Sequence, residues 1–320
     1  MRRSLLIGAL LAILLLIFVA VGHCAEIRIS SDIHVQPVAE FTGSGGYPDI
    51  LTLENNMLEI TSIPRRGRII HSLVLKETGN DLLYSTRTAL PMDDDGISFF
   101  ELGGIYCSLP WNPRDDQPYD LEYEILRDQG DEVSVKLWGE DFDTGLATEF
   151  ILSLKQDSHV IEVAVMHQNP TRHTITMPIW DRFLLKPGGA AAGMELILPV
   201  DSICVVDSQN DWLGERGRAA NWPAPVEKWE EAAGYARFTA ELAPDSEMRL
   251  GAKNTETGEQ ITLGCTGDLF TMVEVLTFGP NYRRFLGAFP GYRLTRLTPE
   301  VALEPGDQIE YTILLEVDKN

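Results

Sequence analysis

Glu274 stands in LFTMVEVLTF, a run that is otherwise mostly apolar, and strand alternation puts Met272, Glu274 and Leu276 on one face. Such an acid belongs either to an exposed edge or to a pocket, where desolvation raises a carboxyl pKa and suits it to general-base work. A second concentration is cationic. IPRRGRIIHSLVL crowds Arg65, Arg66, Arg68 and His71 into one hairpin of an acidic chain. Alternation after Gly67 sets Arg68 with Ile70 against Ile69 with His71, so a regular strand cannot offer both polar groups to one pocket. Arg65 and Arg66 fall in the turn and read as solvated.

Aromatic residues beside polar turns form a third group. FFELGGIYCSLPW ends at Trp111, IWDRF carries Trp180 and Asp181, and ANWPAPVEKW contains Trp222. Indole rings in Pro- and Asn-rich loops suit stacking on the apolar face of a sugar ring, with nearby carboxylates and amides taking its hydroxyls. The competing reading is core packing. It is preferred for Trp138, inside the alternating VSVKLW, and stands level with ligand contact for Trp111 and Trp222.

Other chemistries lack their patterns. The six histidines include no HExxH and no close pair with a neighbouring acid, although His167 and His173 flank a turn at QNPTR. DDDG at Asp93–Gly96 lacks the spaced acids of a calcium hand and reads as a solvated loop. There is no GxSxG elbow, and Gly103-Gly104 and Gly188-Gly189 occur among strands rather than opening a helix. No metal and no cofactor is expected. Cys24, Cys107, Cys204 and Cys265 have no CxxC spacing; buried free thiols are the simplest reading, with one disulfide among the last three as the alternative.

The elements that must position these groups are short. After Pro48 the chain is a succession of alternating or β-branched runs divided by turn signals, such as ILTLENNMLEITSI, EVSVKLWGEDF, HVIEVAVMHQN and DQIEYTILLEV. PVEKWEEAA, residues 225–233, is the best helical segment. The pattern predicts an all-β fold, a large antiparallel sandwich spanning residues 49–320. Residues 25–48, polar and then Gly-rich, read as a linker or lead-in. Arg2 and Arg3 precede an apolar run over residues 4–22, the layout of a secretory signal or of an anchoring helix, and Cys24 raises lipidation. Either form places the folded part outside the cytoplasm, secreted or tethered at the surface. A net charge of −22 argues against nucleic acid and anionic membrane as partners and permits a neutral ligand or local basic pockets.

Several stretches together resemble the galactose mutarotase-like superfamily, the β-supersandwich of aldose 1-epimerases and related sugar-associated domains. They are ENNMLEITSIPRRGRIIHSLVLKETGNDLLY, ELGGIYCSLPWN, VAVMHQNPTRHTITMPIWDRF, VEVLTFGPNYRR and LEPGDQIEY, which follow the family's order over about residues 50–318. Arg66 stands where the family usually has Gly. The resemblance implies a carbohydrate groove on a concave sheet and, in the true epimerases, a Glu base with a His acid that open and re-form the pyranose ring. Glu274 falls where that Glu is expected. The segment that carries the His is replaced by IWDRF, so ring opening would need Asp181, His71 or His173 as proton donor, and the match is closer to the uncharacterised members. The resemblance favours Arg68 as the groove-facing cation, by its place in "GRI", with His71 instead if the strand is bulged. It implies Glu274, Asp181 and His71 as catalytic candidates and Arg68, Trp111, Trp180, Glu101, Asn169 and Trp222 as carbohydrate contacts. Three readings follow: a carbohydrate-binding protein, an aldose 1-epimerase or other sugar-modifying enzyme, and a non-catalytic envelope component. The arginines, including Arg283, Arg284, Arg293 and Arg296, leave uronic or sulfated sugars open.

Overall fold

The computed structural model describes residues 25–30, 49–94, 97–108, 121–141, 143–189, 193–208, 213–223, 235–242, 249–265, 269–278 and 291–319. Residues 4–22, the 225–233 segment and Trp111 lie outside them, as do the side chains of Glu101 and Cys265.

Alternation builds the architecture. In Gln308–Lys319, Tyr311, Ile313, Leu315 and Val317 are buried, while the residues between them face outward. The neighbouring strand Val160–Gln168 buries Ile161, Val163, Val165 and His167 in the same way. These strands belong to an eight-stranded antiparallel sheet. Its inner face packs on a thirteen-stranded sheet, and Leu, Ile, Val and Phe side chains from both share one core. Truncating such a buried aliphatic side chain to Ala costs about 2–5 kcal/mol. The fold is an all-β sandwich. Trp138 corrects the reading by pattern: Leu137 takes the core position, and Trp138 is half-buried on the outer face near the Lys136 ammonium.

The centre of the larger sheet runs in the order Arg68–Leu75, Ile105–Ser108, Trp180–Leu185, Gly291–Leu297, Met272–Phe278, Tyr235–Glu241. All six residues of Trp180–Leu185 are buried, so both faces of the sheet are withdrawn from solvent there. Alternation therefore no longer sorts apolar from polar along these strands, and charged side chains sit in covered positions.

Two local devices hold this arrangement. Gly103 and Gly104 have φ of 81° and 82°, and a Cβ would meet Tyr84 O at 2.0 Å and Ile70 O at 2.4 Å. Only glycine lets the chain pass from Ile97–Gly103 into Ile105–Ser108 so close to its neighbours. Asn55 fastens the ENNM turn to the opposite sheet: its Nδ2 donates to Lys155 O and Ser158 O, and its Oδ1 accepts from the Met57 and Leu58 amides.

The start of the domain also differs from the sequence reading. Ala25–Ser30 is not lead-in but a strand, paired with Ile50–Glu54 and Gln129–Gly130. Its Ile27 packs on the core, and its Arg28 is ion-paired with Glu26 and Glu54. A six-residue strand with one exposed face carries too few apolar residues to stand out. The Asp93–Asp94 acids lie at the end of a strand that pairs with Ile97–Gly103, and no group of acids, His or Cys able to hold a metal occurs among the described residues.

Candidate functional site

The register of the larger sheet aligns one row of side chains. Tyr106 pairs with Arg182, Arg182 with Thr295, Thr295 with Glu274, and Glu274 with Thr239. Directly opposed residues project from the same face, so this row crosses five strands on the side away from the core. With strands about 4.8 Å apart, Tyr106 and Glu274 lie about 14 Å apart at the backbone. Trp180 precedes Arg182 by two residues and shares its face, as do Arg293 and Leu276 on the adjacent rows.

At one end, Tyr106 and Trp180 meet edge to face with ring centroids 6.3 Å apart. Arg182 Nη1 donates to the Tyr106 hydroxyl at 2.9 Å, and its Cζ lies 4.5 Å from the Trp180 ring centroid. The Arg68 guanidinium stacks 4.0 Å over Tyr106. At the other end, Glu274 Oε2 accepts from Arg237 Nε at 2.8 Å and lies 2.8 Å from Arg237 Nη2, with Arg293 Nη2 3.9 Å from Oε1. Between the ends, the Trp180 indole nitrogen and the Thr295 hydroxyl are buried and find no hydrogen-bond partner among the described residues. Trp180 is 2% exposed and Thr295 4%, so neither is hydrated from bulk solvent. Unmet buried polar atoms cost free energy, and a ligand is one way to satisfy them.

The alternate residues of the same strands face the core and form a separate polar network. Asp181 Oδ2 accepts from Arg296 Nη2 at 2.7 Å, and Asp181 Oδ1 accepts from the Tyr311 hydroxyl at 2.8 Å. His167 Nε2 lies 3.4 Å from the Tyr311 hydroxyl and its Nδ1 3.1 Å from Thr148 Oγ1. Since Tyr311 donates to Asp181, His167 Nε2 must be the N–H donor and Nδ1 the acceptor from Thr148. Burial pushes the His167 pKa down to about 4, against a smaller opposing pull from the Asp181 charge. Burial likewise pushes the Cys107 thiol and the Tyr311 phenol well up, with the Asp181 charge acting in the same direction.

This geometry divides the residues singled out in the sequence. Trp180, Glu274 and Arg68 come together on one face. Glu274 is on an interior strand, not an edge, with a side chain 16% exposed, and guanidinium groups rather than apolar walls adjoin it. Asp181 does not join it. Neighbours along a strand point to opposite faces, so placing Trp180 in the row sends Asp181 into the core. Asn169 is also structural: its Nδ2 donates to the His173 and Leu303 carbonyls and its Oδ1 accepts from Thr171, which shapes the NPTRH turn. Trp222 packs in the core at 5.5 Å from Phe238, whose partner Val275 faces inward. His71 is buried in a strand whose pairing shifts register between Thr61 and Ile63, so regular alternation does not hold there. Cys107 and Cys204 are free thiols, and Cys204 is exposed rather than buried.

Tyr106, Arg182, Arg237 and Thr295 were not selected from sequence. For Arg182 a signal was present, since IWDRF alternates Trp180 and Arg182 against Asp181 and Phe183.

A family model described as a domain of unknown function, DUF5107, matches residues 44–223, more than half of the chain and all of the strands from Ile50–Glu54 to Ala219–Asn221. The chain belongs to the DUF5107 family. No curated protein matches this DUF5107 chain. Among solved structures, a TPR-domain containing protein from Parabacteroides distasonis superposes with a TM-score of 0.68 at 14% identity over 92% of this chain. The DUF5107 chain spans about half, 53%, of that protein. A galactose mutarotase-like protein from Clostridium acetobutylicum gives 0.61 at 7% identity, covering 92% of this chain and 99% of its own. A galactose mutarotase related enzyme from Lactobacillus acidophilus gives 0.54 at 11% identity, covering 84% and 97%. The DUF5107 chain thus has the galactose mutarotase-like fold.

Proposed function

We propose that this chain is an exported carbohydrate-binding protein whose groove is the outer face of the larger sheet, with Trp180, Tyr106, Arg182, Thr295 and Glu274 as its floor. The observation that carries the reading is the pair of buried atoms, Trp180 Nε1 and Thr295 Oγ1, which find no hydrogen-bond partner among the described residues and lie in the row between Tyr106 and Glu274. A pyranose presents hydroxyls that accept from Trp180, exchange with Thr295 and donate to Glu274. Export rests on the basic and apolar leader of residues 2–22, and cell fractionation of the full-length chain would test it.

Binding is measured by titrating the protein with a panel of monosaccharides while following tryptophan fluorescence. Saturable binding that weakens at least about tenfold in Glu274→Gln, the loss of one or more charge-assisted hydrogen bonds, supports the groove. Absence of binding across the panel in a folded protein refutes it.

A second reading, an aldose 1-epimerase, draws on one feature: Glu274 is a shielded carboxylate in the same row as the platform. As a base it would take the anomeric hydroxyl proton, and a second group would have to protonate the ring oxygen. His71 or His173 would have to take that role, because Asp181 faces the core. Anomer interconversion followed by optical rotation separates the two readings. A rate equal to buffer, unchanged in Glu274→Gln, leaves binding alone.

A further inference from the structure

We infer that the solvent-facing side of the eight-stranded sheet, the sheet opposite the groove, docks a cationic amphipathic helix of a partner protein. Strand pairing arranges that side in rows. Glu122 pairs with Trp138, Trp138 with Glu149, Glu149 with Met166 and Met166 with Glu310. The next row runs from Glu124 through Lys136, Ile151 and Ala164 to Thr312. The residues that alternate with them, such as Leu137, Phe150, Val165 and Tyr311, lie in the core, so both rows point away from it.

The solvated side of an antiparallel sheet is ordinarily polar. Here its centre is apolar. Trp138, Ile151, Ala164 and Met166 are half-buried, and a depression of about 350 Å³ lies over Ile151, Ala164 and Met166. The margins are acidic. Glu122 and Glu124 on one flank, Glu310 on the other, and Glu162 in the row beyond are exposed. Lys136 is the one described cation in the first two rows, and it is ion-paired with Glu149. Arg127, which ends the row of Ser134, Ser153 and Glu162, is ion-paired with Asp131.

This combination selects the occupant. A second copy of a chain with net charge −22 brings like charge to an acidic face, and an anionic membrane or nucleic acid is repelled in the same way. An added strand has no place to pair, because Ala147–Lys155 and Val160–Gln168 beneath the depression each have a hydrogen-bonded neighbour on both sides. A helix needs only side-chain contact. The flanking strands Glu122–Arg127 and Gln308–Lys319 are four strand spacings apart, about 19 Å. A helix about 10–12 Å across fits between them. Its aliphatic stripe would cover Ile151, Ala164 and Met166, and its Lys or Arg side chains would reach the carboxylates on either side.

The probe is a labelled synthetic peptide of about 18 residues, with Leu at i, i+3, i+4 and i+7 spacing and Lys at the other positions, followed by fluorescence anisotropy against the full-length protein. A scrambled peptide of the same composition keeps the charge and loses the stripe. A peptide with Glu in place of Lys keeps the stripe and reverses the charge. The ordered Lys peptide should bind saturably and at least about tenfold tighter than either. Glu124→Lys combined with Glu310→Lys should weaken it at least about tenfold. Asp201→Lys combined with Glu215→Lys makes the same change of charge at exposed positions flanking the larger sheet, and should weaken it less than about threefold. The comparison of the three peptides on the wild type needs no variant. Equal binding of the scrambled peptide, equal losses in the two double variants, or no binding of the ordered peptide overturns the inference.

Discussion

Replacing His167 with Gln should flatten the acid limb of this protein's stability curve. In the native state the imidazole is fully enclosed between the sheets, donates through Nε2 to Tyr311 and accepts at Nδ1 from Thr148. Desolvation holds its pKa at about 4, against 6.5 for the unperturbed group. Between these values the unfolded chain binds a proton that the folded chain refuses, so stability falls as pH drops from above 6.5 towards 4. A pKa difference of one unit is worth about 1.4 kcal/mol, so the 2.5 units give a loss of about 3 kcal/mol over that window. Gln has no titrating group and can still donate to one hydroxyl and accept from the other. Urea unfolding of both proteins at about pH 7.5 and about pH 4 measures the effect, because carboxylate contributions are common to the two and cancel in the comparison. The wild type should lose about 3 kcal/mol more than His167→Gln between the two conditions. Parallel losses would refute the argument, since they would mean that His167 titrates alike in the folded and unfolded chains.

Further consequences can be measured on the same protein. Arg296→Met removes the partner of a fully buried carboxylate and should cost about 3–5 kcal/mol, whereas Asp181→Leu combined with Arg296→Met should recover most of it in urea unfolding. Asn55→Ala leaves two carbonyls and two amides at the junction of the sheets without their side-chain partner, and should lower stability by about 2–3 kcal/mol with an unchanged denaturant slope. Cys204 is exposed and should react with a thiol reagent in the native state. Cys107, whose thiol burial holds well above its ordinary pKa, should react only on unfolding, and equal rates would contradict its placement.

Class of fold was readable because most strands keep one side in the core and the other in solvent. Gln308–Lys319 alternates through Tyr311, Ile313, Leu315 and Val317 as its sequence suggests. Reading failed where that rule has no purchase. The Ala25–Ser30 strand puts only Ala25 and Ile27 on the core, and Trp138 sits one position out of phase with the core face of its strand. Along Trp180–Leu185 and Gly291–Leu297 nearly every residue is buried, so composition does not distinguish the face that meets the opposite sheet from the face that bears the site.

By itself, the sequence determined which residue types were at hand: an acid in an apolar strand, arginines after a Gly turn, indoles beside polar ones, and strands short enough to demand a sandwich. These are local properties of composition and period. Tertiary structure decided which of them meet. The register of Trp180–Leu185 against its neighbours joins Tyr106, Arg182, Thr295 and Glu274 from positions far apart in the chain. The same pleat turns Asp181 away to Arg296, Tyr311 and the core. A shift of one residue in any of those pairings would exchange the two sets, because adjacent side chains on a strand face opposite sides, and pairing partners are chosen by the folded sheet rather than by the segment that carries them.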